Sequence, residues 1–143
     1  MAAKVWVIPA ARMKAGREHR VPLSGSAHAI LRELSRVKIS EFVFPGHRRG
    51  KPLSHVAMAN AMRRLSVGQV TVHGFRSGFR DWAGNETNFL REVAEAALAH
   101  LVGDAAEQAY RRGDALEKRP VLMNGWAAHC QLKANSNVIR LKG

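Results

Sequence analysis

Apolar residues recur at helical spacing in four separate stretches of this chain, and two short alternating stretches stand before them. Ala27, Ile30, Leu31, Leu34 and Val37 form one stripe. Val56, Ala57, Ala61, Met62 and Leu65 form a second. Phe75, Phe79 and Trp82 form a third, and Phe89, Leu90, Val93, Ala94, Ala97 and Leu98 a fourth. Such stripes must be buried against one another, so they fix a mainly helical class. Lys4–Ile8 and Arg20–Leu23 read as strands. The charged, glycine-containing stretch Arg12–His19 between them predicts a β-hairpin. The expected class is therefore mainly α with a small β element at the N-terminal end.

The punctuation follows the same logic. Ser24 or Ser26 is placed to cap the first helix, Ser54 the second, and Thr87 or Asn88 the fourth. Glu41–Pro45 reads as a short extended piece and Val70–Val72 as a brief β-like one. The third helix should begin near Gly74 and turn Phe75, Phe79 and Trp82 inward. Gly103 and Asp104 break the fourth, and Asp104 can cap a short helix carrying Tyr110. A last helix is expected over about Ala115–Leu132 with Trp126 inward, kinked or restarted at Pro120. The tail, 133–143, is polar and then offers Val138-Ile139-Arg140-Leu141.

Composition narrows the partners. The 143 residues carry 23 Lys and Arg against 11 Asp and Glu, a net charge of +12. A single domain this basic attracts polyanions, nucleic acid above all, although a basic structural protein would carry the same charge. No apolar run approaches a membrane span, and the first residues turn polar too soon for a signal peptide. One cysteine, Cys130, cannot form an internal disulfide, so a cytoplasmic location is expected. The seven histidines offer no metal-ligand spacing and there is no Cys-x-x-Cys. No glycine-rich phosphate loop supports ATP use. No cofactor and no metal are expected.

Within this frame four residues stand out: His73 and Arg76 in His73-Gly74-Phe75-Arg76, His100 in Leu98-Ala99-His100, and Tyr110, the only tyrosine. Arginine clamps phosphate oxygens with a planar, permanently charged fork. Histidine moves protons near neutral pH. Tyrosine can attack phosphorus and hold a covalent intermediate. Each has a bland reading by itself: a solvated arginine, a histidine capping a helix C-terminus, a half-buried tyrosine. Arg80 lies one turn beyond Arg76 and shares its face. It reads as a partner of Asp81 or Glu86, or as a contact to the DNA backbone.

The order and spacing of these residues resemble the C-terminal catalytic region of tyrosine recombinases of the phage-integrase type, from about Trp6 to about Cys130. The resemblance implies the truncated catalytic-domain fold of that family over 1–132. It implies cleavage and rejoining of DNA through a 3′-phosphotyrosyl link, without metal or ATP, in the integration or excision of a mobile element. Tyr110 would be the nucleophile, His73 the base or a phosphate ligand, and Arg76 and His100 phosphate ligands. Lys14, on a hairpin similar to the family's from Ile8-Pro9-Ala10 to Pro22-Leu23, would be the general acid. Arg12, Arg80 and Arg111 would contact DNA. The interval from His100 to Tyr110 is ten residues, where nine is more usual in the broad family; the phage-type subgroup with Leu-Ala-His tolerates ten. The family works as a homo-tetramer on double-stranded DNA, and the tail would dock on a neighbouring subunit.

One element of the family pattern has no counterpart here. A first arginine, carried upstream of the hairpin, is absent from these residues, so the chain reads as a fragment nearly inert in cleavage. The alternative is a non-catalytic remnant that only binds DNA or a partner subunit. A type IB topoisomerase shares the tyrosine chemistry, but the Ile-Pro-Ala hairpin and the Leu-Ala-His motif argue against it.

Overall fold

A computed structural model describes residues 4–67, 69–100 and 115–136, with side chains up to 131. Its class is the expected one: mainly helical, with one small antiparallel sheet. Strands β1 (Val5–Ile8) and β2 (His19–Pro22) pair with Val5 opposite Pro22 and Ile8 opposite His19. A 3-10 turn over Ala10–Arg12 and a further turn with Gly16 at φ 63° reverse the chain. Gly16 supplies a left-handed conformation that other residues adopt at a penalty. The sheet has no clean inside and outside, because Val5 and Ile8 are half-buried while Trp6 is 56% exposed.

Helix α1 (Gly25–Arg36) starts where Ser24 Oγ accepts from the Ala27 amide at 3.2 Å. Helix α2 (Ala57–Arg64) has no side-chain cap. Ser54 serves it through its backbone carbonyl, which accepts from Ala57 N–H at 3.0 Å. Glu41–Pro45 forms bends, and only Pro45 bridges to Pro52. Val70–Val72 forms a bend and turn, and among the described residues no strand lies beside it to complete a ladder. Thr71 Oγ1 accepts from Gly74 N–H at 3.0 Å, and helix α3 (Gly74–Asn85) follows.

Phe79, Trp82 and Ala83 of α3 meet Val93 and Ala94 of α4 (Arg91–Ala97) and Leu122 of α5 (Arg119–Ser136) in the core. Trp126 packs edge-on against Phe79, with ring centres 5.5 Å apart, and closes the aromatic cluster. Phe75 does not join it, contrary to the periodicity, and stays 54% exposed. The stripe names a face, but among the described residues the core covers it only from Phe79 onward. Thr87 does not cap α4. Its hydroxyl donates to the Ala83 carbonyl at 2.6 Å and so closes α3.

Helix α5 is the hub, touching α1, α4 and β2. It begins at Arg119-Pro120, where a missing proline N–H leaves no hydrogen bond unmade. It runs to Ser136, beyond the predicted end at Leu132. Asn124 Oδ1 accepts from Gly25 N–H at 3.1 Å, and Gln131 Nε2 donates to Ser26 Oγ at 2.7 Å. These bonds tie the start of α1 to the helix that backs the core.

Candidate functional site

The site grows from the way α4 ends. Ala99 takes φ 55°, and its N–H donates to Ala96 O at 3.1 Å while His100 N–H donates to Glu95 O at 2.9 Å. This paired pattern is a Schellman turn, with alanine where glycine is the usual residue. It folds His100 back over the last turn of α4. His100 Nδ1 then lies 2.5 Å from Glu95 Oε2.

Helix α3 brings two arginines to the same place. Arg76 Nη2 donates to the Leu98 carbonyl at 2.5 Å, and Arg80 Nε donates to Glu95 Oε1 at 2.8 Å. Their four-residue spacing does put them on one face, the face toward α4. Arg119 Nη1, at the start of α5, reaches Ala96 O at 3.3 Å. The negative end of the α4 dipole is thus met by guanidinium groups on its own orphan carbonyls.

Glu95 belongs to none of the sequence motifs, yet it lies at the centre of the site. Its side chain is 8% exposed, against 49% for Arg80 and 41% for His100. Burial pushes its pKa up. Hydrogen bonds from Arg80 and His100, and their charge, outweigh burial and hold the carboxyl below its ordinary value. The hydrogen bond to Glu95, with its charge, raises the pKa of Arg80 in turn. Arg80 therefore has Glu95 as its ion-pair partner, not Asp81 or Glu86. Arg91 Nε lies further from the same carboxylate, at 3.8 Å. A signal was available: Glu95 is a lone carboxylate in the apolar run Val93-Ala94-Glu95-Ala96-Ala97.

His73 is exposed and is the last residue before α3, one turn ahead of Arg76, whose N–H donates to the His73 carbonyl at 3.0 Å. Arg76 and His100 are brought to one turn of chain. Lys14 and Arg12 are exposed on the hairpin, a separate element. Tyr110 and Arg111 lie outside the described residues. Among the described residues no group of His, Cys, Asp and Glu gathers as a metal site, and no helix is long and apolar enough to cross a membrane.

The model of the Phage integrase family matches residues 1–115, four-fifths of the chain. The chain belongs to that family. It is 42% identical over 128 residues to prophage integrase IntA of Escherichia coli K12, covering 87% of this chain and 31% of the relative. Prophage integrase IntZ of the same organism is 34% identical, over 84% of this chain and 30% of its own length. The integrase of Shigella phage Sf6 is 31% identical, over 87% and 33%. The integrase-family chain thus spans about a third of the length of these relatives. No solved structure matches it.

Proposed function

We propose that this chain is the catalytic region of a site-specific DNA recombinase that works through a tyrosine nucleophile. The observation that supports it best is the meeting of Arg76 with the Leu98–His100 turn, 22 residues away in sequence. A permanent cation and an imidazole thereby share one partly exposed turn, the pairing a scissile phosphate needs. A guanidinium has several N–H donors and the Leu98 carbonyl takes one, which leaves others for phosphate oxygens.

In this reading the Tyr110 oxygen attacks phosphorus as the bond to the 5′ oxygen breaks. His73 accepts or directs the phenolic proton, and Lys14 delivers one to the departing 5′-hydroxyl. Arg76 and His100 offset the charge that builds on the phosphate oxygens. One ester is exchanged for another, so attack by a second strand's 5′-hydroxyl restores the tyrosine and joins new ends. The net charge of +12 draws in the duplex, with Arg12 on the hairpin and Arg80 and Arg111 as backbone contacts. A tetramer on DNA, with the tail beyond 132 docked on a neighbour, completes the proposal.

These residues supply one of the two arginines that the family resemblance implies at the phosphate. For this polypeptide by itself we expect DNA binding and little cleavage, since one lost transition-state contact reduces rate by about 10²–10³. A duplex nicked beside the cleavage site, with the chain joined to the upstream segment of an integrase, tests the reading. A covalent protein–DNA product that disappears in Tyr110→Phe supports it. Binding without covalent product, in the joined chain, favours the non-catalytic module instead.

A further inference from the structure

We infer that Glu95 is a positioning residue for His100: its buried carboxylate holds the ring by Nδ1, so that Nε2 is the atom offered to a phosphate oxygen. The clamp has two points. The backbone carbonyl of Glu95 takes the His100 N–H at 2.9 Å, and its side chain takes the ring at 2.5 Å. One residue therefore sets both where the backbone of His100 goes and which way its imidazole faces.

The carboxylate is itself fixed. Arg80 holds the other oxygen at 2.8 Å from α3, with Arg91 at 3.8 Å from the preceding turn of α4. An ionised carboxylate only accepts hydrogen bonds, so the proton between Glu95 and His100 belongs to Nδ1. The neutral ring then carries its proton on Nδ1 and has a bare Nε2, while the imidazolium presents Nε2–H outward. Only the second form donates to a phosphate oxygen. This is the general logic by which a carboxylate selects the tautomer and orientation of a functional histidine.

It also gives Arg80 a new place. Its guanidinium anchors the anchor, from a helix that also delivers Arg76. The row Arg80–Glu95–His100 makes the docking of α3 on α4 a condition for the geometry of the site.

The role at a phosphate rests on the proposed function; the clamp does not, and it is read on the free chain. Ring nitrogen and proton NMR of the folded protein, with the His100 signals assigned by their loss in His100→Ala, reports the tautomer. The expected result is an Nδ1–H ring with a downfield, slowly exchanging proton in the natural sequence. Glu95→Gln should move the proton to Nε2 or average the two, because Arg80 and His100 each hold a different carboxylate oxygen and the amide replaces one of these with an NH2 donor. Glu95→Asp should restore Nδ1–H in part. An Nε2–H or freely averaging His100 in the natural sequence overturns the inference even if Glu95→Gln does not fold. So does a folded Glu95→Gln with an unchanged His100. In the joined, cleaving chain the same substitution should lower covalent product by about 10- to 100-fold. Absence of cleavage in every variant would count against the proposed function and leave the tautomer result standing.

Discussion

The Arg76 guanidinium closes the end of α4 by donating to the Leu98 carbonyl at 2.5 Å, so a residue assigned to phosphate also fastens α3 to α4. The two duties separate by substitution. A hydrogen bond from a charged group contributes about 1.5–3 kcal/mol. Arg76→Ala should lose about that much in urea unfolding, together with DNA affinity. Arg76→Lys should recover part of the stability, because one ammonium N–H still reaches a carbonyl. It should not recover the forked phosphate contact, and its affinity for a nicked duplex should stay close to that of Arg76→Ala.

The buried carboxylate predicts an acid limit. Glu95 has its pKa held below the ordinary value when folded, so the unfolded chain binds the proton more readily. Its contribution to stability is complete above the unfolded value of about 4.3 and is lost as pH falls through the folded one. The groups that face it are Arg80, Arg91 and His100. Urea midpoints measured from neutral pH downward should fall steeply at the acid end. In Glu95→Gln they should start lower and slope less.

A third expectation concerns Ala99. At φ 55° its methyl group is in a conformation that glycine adopts freely. Ala99→Gly relieves that strain but adds entropy to the unfolded chain, leaving a net gain of up to about 1 kcal/mol. Thermal unfolding should show it. The Glu95–His100 clamp should persist in the variant, because the Schellman turn is kept.

The legible parts of the fold were those that local pattern decides. The hairpin followed from two short strands and a charged connection, and α1 from a serine cap before a stripe; α5 starts at Arg119, not near Ala115, because Pro120 opens the helix and does not kink it. Periodicity could not say which part of a stripe is covered: Phe79 and Trp82 are buried while Phe75, on the same stripe, is not. Propensity failed at Val70–Val72, where β-branched residues have no strand to pair with among the described residues. At the site, the expectation of phosphate chemistry came from the family resemblance that the His-Arg and Leu-Ala-His motifs carry, since each residue by itself has a bland reading. The row Arg80–Glu95–His100 did not show, because Arg80 and Glu95 lie 15 residues apart and meet only when α3 docks on α4. Neighbours along one helix, such as Asp81 and Glu86, were the nearer candidates in sequence and the wrong ones.

That contrast separates Arg80 from Arg12, although both were assigned to DNA. Arg12 closes the 3-10 turn of the hairpin and is exposed, with no carboxylate joined to it among the described residues. Arg80 shares its charge with a buried carboxylate. A phosphate contact releases counterions, so each one contributes about −0.9 to the slope of log affinity against log salt. Arg12→Ala should weaken duplex binding and reduce that slope by close to one contact, with the urea midpoint unchanged. Arg80→Ala removes the cation that holds Glu95, so it should lower the midpoint first and the salt slope by less than a full contact. Fluorescence anisotropy of a labelled duplex over a series of salt concentrations, paired with urea unfolding of each variant, reads both quantities. Equal slopes for the two variants, with Arg80→Ala fully stable, would assign Arg80 to DNA and leave the ion pair without consequence.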